Sequence, residues 1–328
     1  MDRNRAAFAA LCAGCLLVLA SVLPAAAQTS WPTRNVRFIV PLGPGSGADI
    51  GARLFADKLS VRWGKPVVVE NRPGGDGIVA IAAFVGAHDD HTLLFSPAST
   101  FTAHPFLHEK LPYEQSDLLP IARVSNTIVV IAAPASLKVG SLAELMSLVR
   151  EQPGRLNWAT ATGISDFLFA SFLRKANLEM SKVPYRDTVQ PATDVGEGRI
   201  QFYWGALAIV RPHVQAGKAK ILAVSNSVHI PDEPAIPTVK EAGFPTLAFD
   251  GLVGLFGPRD MAEDVRERIA ADIREVAGDP TIGARLLSTG QLVSPGRPAE
   301  FAASIDEQRG VVARIAKEMG IKPGQPVQ

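Results

Sequence analysis

Short runs rich in β-branched residues alternate with stretches of helical periodicity along this chain, and this alternation constrains its fold more than any other feature. Strands separated by helices imply right-handed crossovers and parallel sheets, so the sequence predicts an α/β fold. In the stretch 141–150, for example, Leu142, Leu145 and Val149 share one helical face. The runs that we interpret as strands are Val36–Val40, Pro66–Glu70, Thr92–Phe95, Leu156–Ala159 and Ile221–Val224.

Two extended runs, Ile121–Ala133 and Leu247–Pro258, are too long to serve as one strand of a small sheet. We interpret them as crossing strands that carry the chain from one lobe to another and back. Lobe 1 would then comprise residues 28–125 plus 250–328, and lobe 2 residues 126–249, with a ligand cleft between them. A mature length of about 300 residues suits two domains, although one large doubly wound domain is an alternative.

The N-terminal residues 1–27 have the three parts of a secretory signal peptide. A basic start precedes an apolar run, Ala6–Leu23, and the small residues Ala25–Ala27 follow it. We predict cleavage after Ala27 and export to the periplasm. A permanent membrane anchor is the alternative, but the run is rich in alanine and ends at the helix breaker Pro24.

The composition of the mature chain argues against several classes of protein. The leader contributes one acidic and two basic residues to a net charge of +1, which leaves the mature chain at zero. Because lysine and arginine form no cluster, nucleic acid is not an expected partner. Both cysteines, Cys12 and Cys15, lie in the leader, so the mature chain has neither a disulfide nor a thiol nucleophile. We expect a soluble monomer without a cofactor.

The loop between the first strand and the following helix is the most informative segment for function. Helix N-termini leave backbone N–H groups unpaired and carry partial positive charge, and glycines allow a ligand to approach those groups closely. The loop is therefore a candidate anion site that requires no lysine or arginine. A tight turn capped by Ser46 or Asp49 is the purely structural alternative. The predicted ligand-binding residues of this loop are Gly43, Gly45, Ser46, Gly47, Ala48 and Asp49.

A second loop of the same kind follows the strand Leu156–Ala159 and opens a helix for which Ser165 is the predicted N-cap. Ligands of open α/β sheets bind outside the carboxyl ends of strands. One such loop in each lobe would allow two helix N-termini to clamp one anion across the cleft. The predicted ligand-binding residues of this second loop are Thr162, Gly163, Ile164 and Ser165.

Three further candidates, Arg186, Trp204 and Gly205, follow later strands of the second lobe. The planar guanidinium of Arg186 suits a ligand carboxylate, and it equally suits Asp187 or another surface acid. Tyr203 and Trp204 point to opposite faces of one strand, so we expect only one of them to reach the cleft.

Enzymatic alternatives have weaker support in the sequence. The segment Gly43–Ala48 fits a dinucleotide-binding fingerprint, with Glu70 ending the next strand, but Pro44 and the export signal argue against it. An exported hydrolase built on Ser46 and a distant histidine is the alternative from another class, although the chain has no G-x-S-x-G motif. An orphan receptor that signals to a membrane sensor is a third possibility.

The histidines give no predicted metal site. The segment His88–His91 joins a helix to a strand, where a solvated polar turn is the ordinary expectation. His104 and His108 are four residues apart beside Pro105, in a poor helix. No further ligands lie near the segment His88–His91 in the sequence.

The order of several short motifs resembles the Bug family, the solute receptors of tripartite tricarboxylate transporters. The resemblance covers essentially the whole mature chain. It implies a two-lobed, type II-like Venus-flytrap fold that closes by hinging at the crossing strands, with a carboxylate held by the loops 43–49 and 161–166. The motifs are Trp31-Pro32, Ile39–Pro41, Ala48-Asp49, Val67–Gly75, Lys110–Tyr113, Gln215–Lys218, Pro237–Gly243 and Gly320–Pro323.

The chain departs from the family pattern in three places. Leu42 and Ser46 alter the first loop, and Arg186-Asp187 replaces a usual Lys-Gly after Tyr185. Trp204-Gly205 replaces a usual Phe-Asp, which removes an acid able to meet a ligand amine. We therefore hypothesise an anionic solute without an amino group, with an aromatic or bulky part near Trp204.

Overall fold

Two β-sheets flanked by helices organise the chain in a computed structural model that describes residues 31–160, 163–185 and 188–324. Its contacts divide the chain into two units, Met1–Thr33 and Arg34–Gln328, and the second unit holds both sheets. None of the helices among the described residues is long and apolar enough to span a membrane.

The strands are β1 Val36–Val40, β2 Val67–Asn71, β3 Thr92–Pro97, β4 Leu119–Thr127, β5 Val129–Pro134, β6 Asn157–Thr160, β7 Ser181–Lys182, β8 Phe202–Ala206, β9 Ala219–Val224, β10 Gly251–Gly257 and β11 Gln291–Gly296. The α-helices are α1 Gly47–Trp63, α2 Ile78–Val85, α3 Ser99–Thr102, α4 His104–Leu107, α5 Leu142–Glu151, α6 Gly163–Ala176, α7 Gln190–Gly196, α8 Leu207–Gln215, α9 Glu263–Ala277, α10 Pro280–Ser288 and α11 Pro298–Met319. Short 3₁₀ turns occur at Gly75–Gly77, Gln115–Asp117 and Pro245–Leu247.

The first sheet has six strands in the order β11-β4-β10-β3-β1-β2. Strand β1 pairs in parallel with β2 and β3, while β10 pairs antiparallel with β3 and β4, and β11 antiparallel with β4. Four of the five residues of β1 are buried, as expected for a strand covered on both faces. This sheet lies at the centre of lobe 1, and Ile39 and Phe256 from its strands pack with Phe301 in one apolar cluster.

The second sheet has five strands in the order β7-β6-β8-β5-β9 and forms the core of lobe 2. Strand β6 pairs in parallel with β7 and β8, and β5 pairs antiparallel with β8 and β9. One face of this sheet is covered by α5 and α6, whose apolar residues cluster with Trp158 and Phe202. The other face is covered by α7 and α8 around Tyr203.

The chain passes between the sheets at two short connections. Strand β4 ends in the first sheet at Thr127 and β5 begins in the second at Val129, so Ile128 alone joins them. On the way back, Phe249 packs in the core of lobe 2 and Leu252 in the core of lobe 1. The predicted α/β class and the two lobes joined by crossing strands are confirmed.

Two details differ from the sequence expectation. Both sheets are mixed, not mostly parallel, because the outgoing and returning crossing strands run in opposite directions and β4 therefore pairs antiparallel with β10. The last helix, α11, is not confined to lobe 1. Its first half contributes Phe301 and Ile305 to the core of lobe 1, whereas Val312 and Ile315 pack into the core of lobe 2.

Candidate functional site

The glycine loop between β1 and α1 has a defined shape in the structure. Ser46 is extended, with φ −67° and ψ 156°, and its hydroxyl caps α1 by accepting a hydrogen bond from the Asp49 amide at 3.3 Å. Gly45 has a φ of +83°, a left-handed conformation that favours glycine. The hydroxyl of Ser46 thus caps the helix, as in the structural alternative considered from the sequence.

The Asp49 carboxylate holds this loop together from inside. It accepts hydrogen bonds from the amide of Gly45 at 2.9 Å and from the Asn71 side chain at 2.8 Å, and it pairs with Arg53 at 2.9 Å. Burial raises the pKa of Asp49, but the hydrogen bonds from Arg53, Gly45 and Asn71 outweigh burial and lower the pKa below its usual value. With only 2% of its surface exposed, Asp49 shapes the loop and offers no free carboxylate to a solute.

Two amides at the start of α1 are left available by this arrangement. The Asp49 amide is used by Ser46, and the Ile50 amide donates to the Ser46 carbonyl at 2.9 Å. The amides of Gly47 and Ala48 donate none of the hydrogen bonds found among the described residues. They are the first two N–H groups of a 17-residue helix, where the helix dipole favours an anion.

Other loops reach the same edge of the first sheet, because parallel strands end on one side. A side chain at Gly77, in the turn after β2, would begin 2.2 Å from the Thr100 methyl group and 3.3 Å from Pro41. Ser99 and Thr100 follow β3 and are half-buried there. They were not among the predicted site residues, although the rule that sites follow strand ends, applied to Thr92–Phe95, would have included them.

The second predicted loop lies at the start of α6, and it corrects one expectation. The helix begins at Gly163, so Ser165 lies inside the first turn and is not the N-cap. Ile164 and Ser165 are each 1% exposed. Thr162 lies outside the described residues.

A missed residue, Asp166, fixes this second loop. Its carboxylate accepts a hydrogen bond from the Thr160 hydroxyl at the end of β6 and pairs with Lys182 at 2.9 Å. The Lys182 ammonium also lies 5.4 Å from the ring centroid of Trp158. An acid in the first turn of a helix is a sequence signal that would have indicated Asp166.

The aromatic residues of β8 do not line an open cleft, contrary to expectation. Trp204 is fully buried, with its ring 6.4 Å from Phe169 and 6.5 Å from Phe202. Tyr203 is fully buried on the opposite face. Helices cover both faces of the sheet, so neither ring reaches the surface, and Gly205 is buried beside them. Arg186 lies outside the described residues.

The two lobes contact each other beside these loops. A side chain at Gly163 would begin 2.8 Å from Leu107 and 3.4 Å from Ala103, both from lobe 1. The rings of Phe106 and Phe167 meet edge to face at 6.2 Å. A side chain at Gly290, just before β11, would begin 3.1 Å from Ala208, three residues after Gly205. The ends of β6 and β8 therefore face elements of lobe 1.

Two α/β lobes with strand-to-helix loops at their junction define a bilobal solute-binding protein. A family model described as a tripartite tricarboxylate transporter family receptor matches residues 51–321, so the chain belongs to this family, called TctC. The match confirms the resemblance noted in the sequence. Receptors of this family are binding proteins of the periplasm.

Individual relatives agree with this assignment. The chain is 30% identical to a UPF0065 protein of Bordetella bronchiseptica, across 98% of this chain and 100% of that one. A solved periplasmic transporter is 28% identical with a TM-score of 0.77, across 89% of this chain and 99% of the other. MatC from Rhodopseudomonas palustris with bound malate is 26% identical with a TM-score of 0.71, across 86% and 100%.

Proposed function

We propose that this chain is an exported solute receptor that binds a small organic carboxylate and delivers it to a membrane transporter of the tripartite tricarboxylate type. The observation that carries the proposal is the pair of unused amides of Gly47 and Ala48 at the start of α1. Backbone amides at a helix N-terminus bind carboxylates without a cationic side chain.

The solute that fits this site is an anion without an amino group. The relative MatC was solved with malate, a hydroxy dicarboxylate. In this chain, strand β8 carries Trp204-Gly205 near its end, and neither residue offers an acid to an ammonium group. The ring of Trp204 is buried, so the hypothesis no longer includes an aromatic contact there.

Export and delivery complete the proposal. Residues 1–27 act as a signal peptide that is removed after Ala27, and the mature receptor works in the periplasm. A solute that draws the two lobes together gives the transporter a closed form to recognise, a rigid-body change of the kind seen in other binding proteins.

The test is a calorimetric titration of mature protein, residues 28–328, with di- and monocarboxylates, their amides, aspartate and glutamate. We expect binding of a carboxylate that is lost when the carboxylate becomes an amide. Tight binding of aspartate or glutamate would contradict the proposed solute class. Binding of esters with turnover would contradict the receptor function itself.

A matched pair of variants tests the amides directly. Gly47→Pro removes one N–H group at the first helical position, which tolerates proline, and the extended Ser46 suits a following proline. Gly47→Ala keeps the N–H group and meets the same neighbour, the Gln291 side chain at 3.0 Å. We expect about a tenfold or greater loss of affinity in Gly47→Pro alone, the usual worth of a charge-assisted hydrogen bond. Equal affinity in the two variants would exclude the Gly47 amide from the site.

A further inference from the structure

Three metal-ligating side chains, none of them among the predicted carboxylate-binding residues, converge in lobe 1. His104 and His108 stand at the first residue of α4 and directly after its last residue, and Asp76 lies in the turn Gly75–Gly77. One ligand atom from each of the three lies within 4.8 Å of the others, and the Nε2 atom of His104 is 3.3 Å from an Asp76 carboxylate oxygen. The sequence spacing of the two histidines did not reveal the third ligand, because Asp76 precedes His104 by 28 residues.

His108 has an unused nitrogen at this cluster. Its Nε2 atom is buried and has no hydrogen-bond partner among the described residues. The ring packs edge to face on His104 at 5.2 Å. A buried imidazole nitrogen without a partner costs free energy unless a hydrogen-bonding group or a metal ion satisfies it.

The Nδ1 atom of His104, on the side of the ring opposite Nε2, is hydrogen-bonded, as is usual for the second nitrogen of a metal-binding histidine. Its Nδ1 atom lies 2.5 Å from the hydroxyl oxygen of the buried Tyr113. Its Nε2 atom lies 3.0 Å from the Asp76 backbone carbonyl. Without an ion, the His104 Nε2–H group donates to that carbonyl and the Tyr113 hydroxyl donates to Nδ1.

We propose that Asp76, His104 and His108 bind one divalent transition-metal ion, with Zn²⁺ as the representative. Two imidazoles and one carboxylate suit this borderline ion. Ligand atoms of a tetrahedral zinc site stand about 3.4 Å apart, as follows from bonds of about 2.1 Å. The 3.3 Å separation of His104 and Asp76 already fits, and the 4.8 Å limit leaves a small adjustment for the third ligand.

Coordination changes the tautomer of His104. Its neutral ring loses the one proton on Nε2 and takes up one proton from solvent on Nδ1, so no net proton is released, and Nδ1–H then donates to the Tyr113 hydroxyl oxygen. The Asp76 side chain is 57% exposed, so water can fill the fourth position. The ion would also fix the turn Gly75–Gly77 to α4, whose Phe106 and Leu107 contact lobe 2.

A second cluster, Asp89, Asp90 and His91, is a poorer candidate because each of its residues has a partner, whereas His108 of the first cluster has a nitrogen without one among the described residues. The Asp89 carboxylate accepts hydrogen bonds from the His91 amide and the Thr92 hydroxyl and pairs with Arg34. The His91 ring is bonded to Asp90 at 2.6 Å. This arrangement is the polar turn expected from the sequence.

The test is calorimetric titration of untagged, chelator-treated mature protein with Zn²⁺, together with the visible absorption of the Co²⁺ form. We expect one ion per chain and a Co²⁺ spectrum typical of a four-coordinate site. Loss of an outer-shell partner alone commonly weakens metal binding 10–100-fold, so we expect a change of a direct ligand, in His108→Ala or in Asp76→Asn, to weaken Zn²⁺ binding about a hundredfold or more. These two residues are chosen because they are less buried than His104.

The matched control is His229→Ala, which removes an exposed histidine paired with Glu241 in lobe 2. This variant should bind Zn²⁺ as the parent does. The proposal is overturned if the parent shows no saturable binding, or if either His108→Ala or Asp76→Asn retains the parent's affinity while folded. Loss in His229→Ala would place the ion elsewhere and also overturn the proposal.

Discussion

The two strand-to-helix loops are held in shape by different means. The glycine loop of lobe 1 is held by its own side chains, since Asp49 and Ser46 bond to amides within it. The start of α6 in lobe 2 is held by the bonds of Asp166 and also by packing between the lobes, since Gly163 lies against Leu107 of lobe 1. The start of α6 therefore depends in part on how the lobes meet, whereas the bonds of Asp49 and Ser46 all lie within lobe 1.

The largest expected effect tests this difference with two aspartates. Asp49→Ala removes a buried acceptor that serves the Gly45 amide, Asn71 and Arg53, so we expect the free energy of unfolding to fall by about 2–3 kcal/mol, about 1 kcal/mol for each lost partner. Asp166→Ala should cost about 1 kcal/mol or less, since the Asp166 side chain is 21% exposed, against 3% for Asp49. Urea unfolding measures both. Equal losses would show that the two loops are held alike.

The control for both variants is Asp57→Ala, an exposed aspartate on α1. We expect its unfolding free energy to stay within about 0.5 kcal/mol of the parent.

A second, smaller effect is the dependence of the free energy of unfolding on pH. The pKa of Asp49 is lowered by folding, because the hydrogen bonds that favour the carboxylate outweigh its burial. Its contribution is complete above the unfolded pKa of about 3.9 and is lost as pH falls through the folded pKa. Asp49→Asn should therefore be less stable than the parent by about 1–2 kcal/mol at pH 7, and the gap should shrink below about pH 4. A gap that widens in acid would contradict this sign.

The smallest effect compares two helical glycines. Gly163→Ala places a methyl group 2.8 Å from Leu107, so we expect a loss of about 1 kcal/mol through crowding where the lobes meet. Gly310→Ala, in α11, meets nothing within 4 Å and should gain about 0.5–1 kcal/mol from helix propensity. Thermal unfolding of both variants measures these two changes in stability. A gain in Gly163→Ala would mean that Leu107 moves aside freely.

Part of this structure was predictable because it depends on local pattern. Within the run Ile121–Ala133, the segment Thr127–Ile131 contains no turn residue, and the structure indeed passes from one sheet to the other at Ile128. The glycine loop and its helix follow from the strand, the glycines and Ser46. These features are decided within a few residues of each other in the sequence.

Other features depend on contacts that periodicity does not encode. To predict that Trp204 is buried on one face and Tyr203 on the other, one would need to know that helices cover both sides of the sheet. To predict the role of Asp49, one would need to know its partner Asn71, 22 residues further on. Asp76 lies beside the two histidines only because of the turn after β2. To predict the mixed sheets, one would need to know the direction of the returning strand β10.

The continuity of α11 has a mechanical consequence. From Phe301 in the core of lobe 1 to Ile315 in the core of lobe 2, the helix spans about 21 Å as one rod. Two short strand connections alone would allow the lobes to swing and to twist. A rod of fixed length anchored in both cores opposes twisting and any change in the distance between its anchors. The freedom that remains is bending of the rod itself, and Gly310 lies between the two anchored halves.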